Sequence, residues 1–266
     1  MKIDKAKFPR KYGPWAFVTG ASDGIGAAAA DQIAELGLNV LLIGRHQERL
    51  EKRAKACAVH GVDTRAIAAD LGTPDGLRNI IAAIENVEVG LYFGSAGFGS
   101  AGAFCDLPID EELAMIDVNC RALTALAYPL AQQMRTRGRG GLILMSSIVA
   151  FQGVPHSANY AATKAYVQTL AEGLALELEP DGVDVLASAP GPVETGFARR
   201  ADMAMSGAAV PATIARETLA ALGRHRTVRP GTQSKLLGYG LATLPRALRS
   251  RILGQVMRGM TKHRDG

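Results

Sequence analysis

In the stretch NYAATKAYVQTL, Tyr160 and Lys164 put a phenol and an ammonium four residues apart on what the alanine-rich composition predicts to be a helix. Spacing i to i+4 turns a helix about 40° past one full turn, so the two side chains share a face. A free phenol has a pKa of about 10 and is a poor base at neutral pH. A unit charge about 4 Å from the phenolate, at an effective dielectric of ~20, is worth roughly 4 kcal/mol, an upper figure of about three pKa units. A phenol tuned in this way could donate a proton as a general acid or, once ionised, accept one as a general base. Taken alone, the pair also reads as a packed tyrosine beside a solvated lysine. The rest of the chain has to separate the two.

A second chemical feature lies near the start, where WAFV is followed by TGASDGIG. Gly20 allows a tight exit from a strand, Gly24 lets backbone approach a pyrophosphate, and Gly26 allows close helix–strand contact. With Ser22, Asp23 and Ile25 they form a glycine-rich turn, spaced G-x-x-x-G-x-G, at the N-terminal, positive end of a helix. About twenty residues on, at the end of the second strand, stands Arg45, with His46 beside it. A carboxylate there would accept hydrogen bonds from an unphosphorylated ribose and repel a 2′-phosphate, whereas a guanidinium pairs with one. NADP(H) is therefore expected over NAD(H). Asp23 works against this by bringing negative charge near the same ribose, and Arg45 also reads as a solvated helix-start residue.

These residues need a frame, and the apolar pattern supplies one. Strand-like runs (WAFVTG, NVLLIG, DTRAIAAD, VGLYFG, GLILMSS, DVLASAPG) alternate with helical stretches, the longest spanning about 108–137. Near-continuous apolar strands between helices predict an α/β fold: a Rossmann-type doubly wound parallel sheet of about seven strands, helices on both faces and a helical C-terminal tail. Pro211 opens a further helix to Leu222, and TVRPG is a candidate last strand. At 266 residues the chain fits one domain, 1–266, with 234–266 as a basic helical extension. No apolar run reaches the ~18 residues of a membrane span, and the first residues lack the apolar segment of a signal peptide. Three scattered cysteines show neither metal-ligand nor redox spacing, so a reduced, cytoplasmic protein without a metal is expected.

With these motifs in view, the chain resembles the short-chain dehydrogenase/reductase family along its length to about Pro230. TGASDGIG is similar to the family's cofactor loop, and AAD followed by Leu71 to its adenine-contacting aspartate, here Asp70. IDVNC holds the family's helix asparagine, Asn119, and LILMSSIVA its serine. The family's catalytic serine sits thirteen residues before the tyrosine, which selects Ser147 over Ser146. The resemblance gives Ala96, Gly97, Pro190, Gly191, Val193 and Thr195 to the cofactor, the last two orienting its carboxamide. Lys164 would also hold the nicotinamide ribose, Asn119 would position a water linking Lys164 to solvent, and Ser147 would stabilise charge developing on the substrate oxygen. Alone, Asn119 reads as helix packing and Ser147 as a strand-end cap. One motif departs: the family's N-N-A-G is GSAG here, residues 94–97, from which altered local bracing is expected rather than lost chemistry. KYGPWAFVTGASDGIG resembles the branch holding 17β-hydroxysteroid dehydrogenases and 3-ketoacyl reductases, and the later part resembles bacterial reductases of that type.

The resemblance implies an NADP(H)-dependent enzyme interconverting a small-molecule ketone or aldehyde and an alcohol, as a homodimer or homotetramer. Ile148, Phe151, His156, Phe197 and Met203 are the candidate substrate contacts, mostly apolar. A cofactor-binding regulatory or scaffold protein without turnover is the alternative, opposed by the intact Asn119, Ser147, Tyr160 and Lys164 set. A sugar epimerase is disfavoured because little chain is left for a substrate domain after Pro192. From Ser234 onward seven basic residues face one acid, so the last 33 residues carry +6 and the other 233 carry −1. The high pI belongs to this tail and does not indicate nucleic-acid binding. Leu248, Ile252, Val256 and Met260 fall within ~120° of helical arc, but Arg249 lies inside it, so packing over the substrate cleft or at a subunit interface is favoured over a membrane surface. Gly238, Gly240 and Gly254 suggest bends in the tail.

Overall fold

The computed structural model describes residues 3–197 and 208–261. Seven parallel strands lie in the order β3-β2-β1-β4-β5-β6-β7: β1 Trp15–Thr19, β2 Asn39–Gly44, β3 Thr64–Ala68, β4 Val89–Gly94, β5 Gly140–Met145, β6 Val183–Ser188 and β7 Thr227–Val228. Helix α1, Lys7–Tyr12, precedes β1; parallel neighbours require crossovers, and helices supply them: α2 Gly24–Glu35, α3 Gln47–Ala58, α4 Pro74–Ile84, α5 Ile109–Ile116, α6 Leu123–Arg137, α7 Ala158–Glu177 and α8 Pro211–Ala221. The tail forms α9, Thr232–Ala242, and α10, Arg246–Thr261.

Alternation along each strand builds two cores. Phe17, Leu41, Ile43 and Tyr92 face a layer containing Leu77 of α4, Leu126 of α6 and Val167 of α7. Ala16, Val18, Leu42 and Phe93 face the other layer, with Ile33 of α2, Leu50 of α3 and Leu219 of α8. The central strands are buried on both faces, which explains their unbroken apolar runs. Strand order reverses between β1 and β4, so the loops leaving the strand ends there open a crevice.

The long helical pattern is one continuous run, but residues Asp117–Ala122, between α5 and α6, form a π-helix that contains Asn119. The tail corrects one expectation. Gly238 and Gly240 lie within α9 and Gly254 within α10; the break falls at residues 243–245, where Pro245 lacks the N–H to continue a helix. Gly254 instead permits a close approach, since a Cβ there would stand 2.9 Å from Cγ of Pro155.

Candidate active site

The crevice at the strand ends is a cleft of about 720 Å³. Gly20 and Gly24 have φ of +70° and +58°, a left-handed conformation that side chains rarely adopt. A Cβ on Gly26 would come within 2.4 Å of the Gly20 carbonyl oxygen, so the turn closes only with glycine there. Asp23 caps α2: its Oδ1 accepts from Gly24 N at 2.7 Å, and its Oδ2 accepts from Gly196 N at 3.2 Å. The carboxylate is thus tied to the loop after β6. That loop returns the contact, because a Cβ on Gly24 would meet the Thr195 side chain at 2.7 Å. The Ala27 amide already bonds the Asp23 carbonyl, while the Ile25 and Gly26 amides precede the first helical hydrogen bond and suit an anion.

Ser22, Asp23, Gly24, Ile25, Gly26, Arg45, Asp70, Leu71, Ala96, Gly97, Pro190, Gly191, Val193 and Thr195 all line the cleft, as does Gly20. Sequence reasoning missed Arg49, which lines the same end as Arg45 and His46. It stands four residues after Arg45 at the start of α3, and that spacing was its available signal. Among the described residues neither arginine has a carboxylate partner.

At the other end lie Ser147, Tyr160 and Lys164. The two adjacent serines do different things. Ser146 Oγ donates to the Lys164 carbonyl at 3.2 Å, fixing α7 against β5. Ser147 Oγ accepts from Val149 N at 3.4 Å and hydrogen-bonds to the Tyr160 phenol. Tyr160 is half-buried, its ring 5.3 Å from that of Phe197.

The expected lowering of the Tyr160 pKa by Lys164 does not occur in this state. Lys164 Nζ donates to the Met145 carbonyl at 2.9 Å and lies 5.8 Å from the centroid of the tyrosine ring, so its charge is spent on a carbonyl and on the ring face. Burial pushes the Tyr160 phenol up to about 12, with the Ser147 hydrogen bond pulling the other way. Burial likewise pulls the Lys164 ammonium down to about 8. Lys164 is therefore charged below about pH 8 and loses its third proton above it. If Lys164 holds the cofactor ribose in its charged form, kcat/KM measured at limiting NADPH, which reports the free enzyme, should fall above about pH 8. A profile level up to the ordinary lysine value of 10.5 would count against that role.

Asn119 is buried in the π-helix with both hydrogens of its side-chain amide engaged. Nδ2 donates to Phe98 O at 2.8 Å and to Thr163 Oγ1 at 3.1 Å, and Oδ1 accepts from Phe98 N at 3.1 Å. Its side chain braces the loop after β4 against α7. The GSAG departure is also accommodated. Ser95 Oγ donates to Thr19 O at 2.6 Å and Ala96 N donates to Thr19 Oγ1 at 3.2 Å, while the buried Tyr92 hydroxyl hydrogen-bonds the Thr19 side chain. A Cβ on Gly94 would lie 2.9 Å from that hydroxyl.

Of the candidate substrate contacts, Ile148 and Phe197 line the cleft and two do not. Phe151, one 3₁₀ turn beyond Ile148, lies outside it under the Arg229 guanidinium, 4.5 Å from the ring centroid. His156, at φ +64°, turns outward and accepts from Arg258 Nε at 3.0 Å. Met203 lies outside the described residues. Of the two packings expected for the tail, the one over the cleft is seen: Leu253, Val256, Met257 and Met260 of α10 line it. No helix among the described residues is long and apolar enough to cross a membrane.

Comparison with known proteins agrees with this geometry. The family model described as short chain dehydrogenase matches residues 14–205. A 7beta-hydroxysteroid dehydrogenase of Clostridium sardiniense is 34% identical over 182 residues, 67% of this chain and 69% of that protein. A solved structure from a study of 7beta-hydroxysteroid dehydrogenase stereoselectivity superposes with a TM-score of 0.85 at 27% identity, over 93% of this chain and 99% of the other. A short-chain dehydrogenase from Sphingobium yanoikuyae, solved in complex with NADPH, gives 0.77 at 28% identity over 93% and 94% of the two chains.

Proposed function

This chain belongs to the short-chain dehydrogenase family, and on that premise we propose that it is an NADP(H)-dependent oxidoreductase interconverting a lipophilic ketone or aldehyde and the corresponding alcohol. The observation that carries the reading is the gathering of Ser147, Tyr160 and Lys164 at one end of a cleft whose other end is a glycine turn at a helix N-terminus.

The residues fit the cofactor. The two left-handed glycines and the open amides of α2 suit a pyrophosphate, and Ser22, Arg45, His46 and Arg49 suit a 2′-phosphate. Tying Asp23 to Gly24 and Gly196 reduces its opposition to a phosphate nearby. When bound, the cofactor supplies or accepts the hydride. The chain manages the proton. Tyr160 Oη, held protonated by burial, donates to the carbonyl oxygen as negative charge develops there, and Ser147 Oγ donates a hydrogen bond to the same oxygen. Lys164, at the foot of the same site, supplies the positive charge that makes the resulting phenolate tolerable. In the oxidative direction the same groups work in reverse.

The apolar walls, with Ile148, Phe197 and Met257 among them, support a lipophilic substrate. Ile109, Leu113 and Ile116 of α5, Tyr128 of α6 and Tyr166 and Leu176 of α7 leave large apolar side chains exposed, which supports self-association as a homodimer or homotetramer. Three free cysteines without a disulfide suit a cytoplasmic protein, in one catalytic domain with 234–266 as its extension.

A panel of carbonyl compounds followed at the nicotinamide absorbance tests the reaction; NADPH binding without reduction of any member would instead favour a regulatory protein. The cofactor preference has its own test. Arg45→Asp should lower the NADPH-over-NADH ratio of kcat/KM about tenfold, by replacing a phosphate partner with a charge that repels it. An unchanged ratio would show that Arg45 does not read the phosphate.

A further inference from the structure

A second, smaller cavity of about 40 Å³ adjoins the 3₁₀ turn Ile148–Phe151, which follows Ser147. Ile148 is the one described residue that lines both this cavity and the cleft. Gly238 and Leu241 of α9 form another side, and Arg229 and Arg249 bring two positive charges to it. Among the described residues no acid lines it.

Arg229, just after β7, is held in place without being satisfied. Its guanidinium lies 4.5 Å from the ring centroid of Phe151 and 5.7 Å from that of Tyr239. The rings fix its position, yet Nε is buried and no protein atom accepts its hydrogen. A buried guanidinium N–H without an acceptor is costly. Arg249 is anchored instead by its own bonds, from Nε to Leu244 O at 2.7 Å and from Nη2 to Ala242 O at 2.9 Å. Gly238 makes room for the arrangement. A Cβ there would stand 2.4 Å from Cδ of Arg229 and 2.7 Å from its Nε. Glycine weakens a helix interior, so its place within α9 is explained by the arginine it admits.

Two guanidiniums beside a small space without an acid repel each other and attract an anion. One water needs about 10–15 Å³ of such space, so this cavity takes about three non-hydrogen atoms. A carboxylate group has that number and is planar, which matches the guanidinium fork; a phosphate is larger. We propose that the cavity is a binding site for a carboxylate group, with Arg229 as its main partner and Arg249 as supporting charge. The site does not depend on the reaction proposed above, and its occupancy is read without turnover.

Thermal melts of the full-length protein test it. Acetate serves as a small free carboxylate, hexanoate as a carboxylate on a longer chain, and chloride at equal ionic strength as the control. At about 50 mM, acetate binding with a Kd of about 5 mM should raise Tm by about 3 °C over chloride. Arg229→Gln should lose that rise. Because removing the arginine is liable to loosen α9, Gly238→Ala is the companion. It favours the helix, pushes the arginine stem aside and should lose the rise as well. A hexanoate rise larger than that of acetate, lost in the same variants, supports the site and gives the carboxylate to a longer ligand. A smaller one supports it as a site for a free anion. An equal rise in chloride, or a rise kept in either variant, means a salt effect or binding elsewhere, such as the Arg45–Arg49 end of the cleft, and overturns the site. No rise in wild type with either carboxylate overturns it too.

Discussion

Tyr160→Phe should lower kcat for carbonyl reduction about 10³-fold while leaving NADPH affinity within about twofold. The substitution removes one oxygen and keeps the ring, so the packing on Phe197 and the Lys164 contact with the ring face survive. What is lost is the proton donor. Burial holds that proton on the phenol, with a pKa near 12, so wild type should keep its acid in the reactive form throughout the neutral range. Single-turnover absorbance loss with pre-bound NADPH, beside a fluorescence titration of NADPH, measures the two quantities separately. Loss of both would mean that the ring supports the cofactor site and would leave the phenol's role unproved. Retention of turnover would remove Tyr160 from the chemistry.

The two serines provide the second large effect. Ser147→Ala should lower kcat about 10²-fold, because it removes a donor aimed at the oxygen where charge develops and a hydrogen bond that assists the phenol. Ser146→Ala should change kcat less than about threefold and cost about 1 kcal/mol of stability, since its hydroxyl serves only the Lys164 carbonyl. The comparison of the two variants is sharper than either alone. They are adjacent, both buried, and identical in chemistry removed. Steady-state kinetics and a thermal melt on each decide it, and equal kinetic losses would refute the assignment.

Much of this arrangement is legible in the sequence because its parts are local. The glycine turn, the Tyr160–Lys164 spacing and the alternation of strands and helices depend on near neighbours along the chain. The α/β frame follows once the strands read as buried on both faces. Position 147 is distinguished from 146 only by counting from the tyrosine, and the structure adds the reason: one hydroxyl faces a helix carbonyl and the other a phenol.

The rest depends on packing between distant segments. The basic tail shows an apolar stripe in sequence, but only the fold reveals that Val256 and Met260 of that stripe line the cleft together with Leu253 and Met257, while Leu248 and Ile252 do not. Phe151 and His156 have suitable side chains on a suitable loop; a 3₁₀ turn and a positive φ send them outward. The depressed phenol pKa expected from helical spacing fails because the Met145 carbonyl competes for the ammonium and burial dominates the phenol.

The pairing of Tyr92 with Gly94 has a consequence for how this sequence can change. In this chain a buried hydroxyl beside Thr19 occupies the space that a larger residue at 94 would need. An asparagine placed at 94 would bring its Cβ against the end of the tyrosine ring, so that substitution should harm this protein. The two positions are sterically coupled: a larger residue at 94 fits once the residue at 92 is smaller, so the pair should tolerate exchange together better than 94 tolerates it alone.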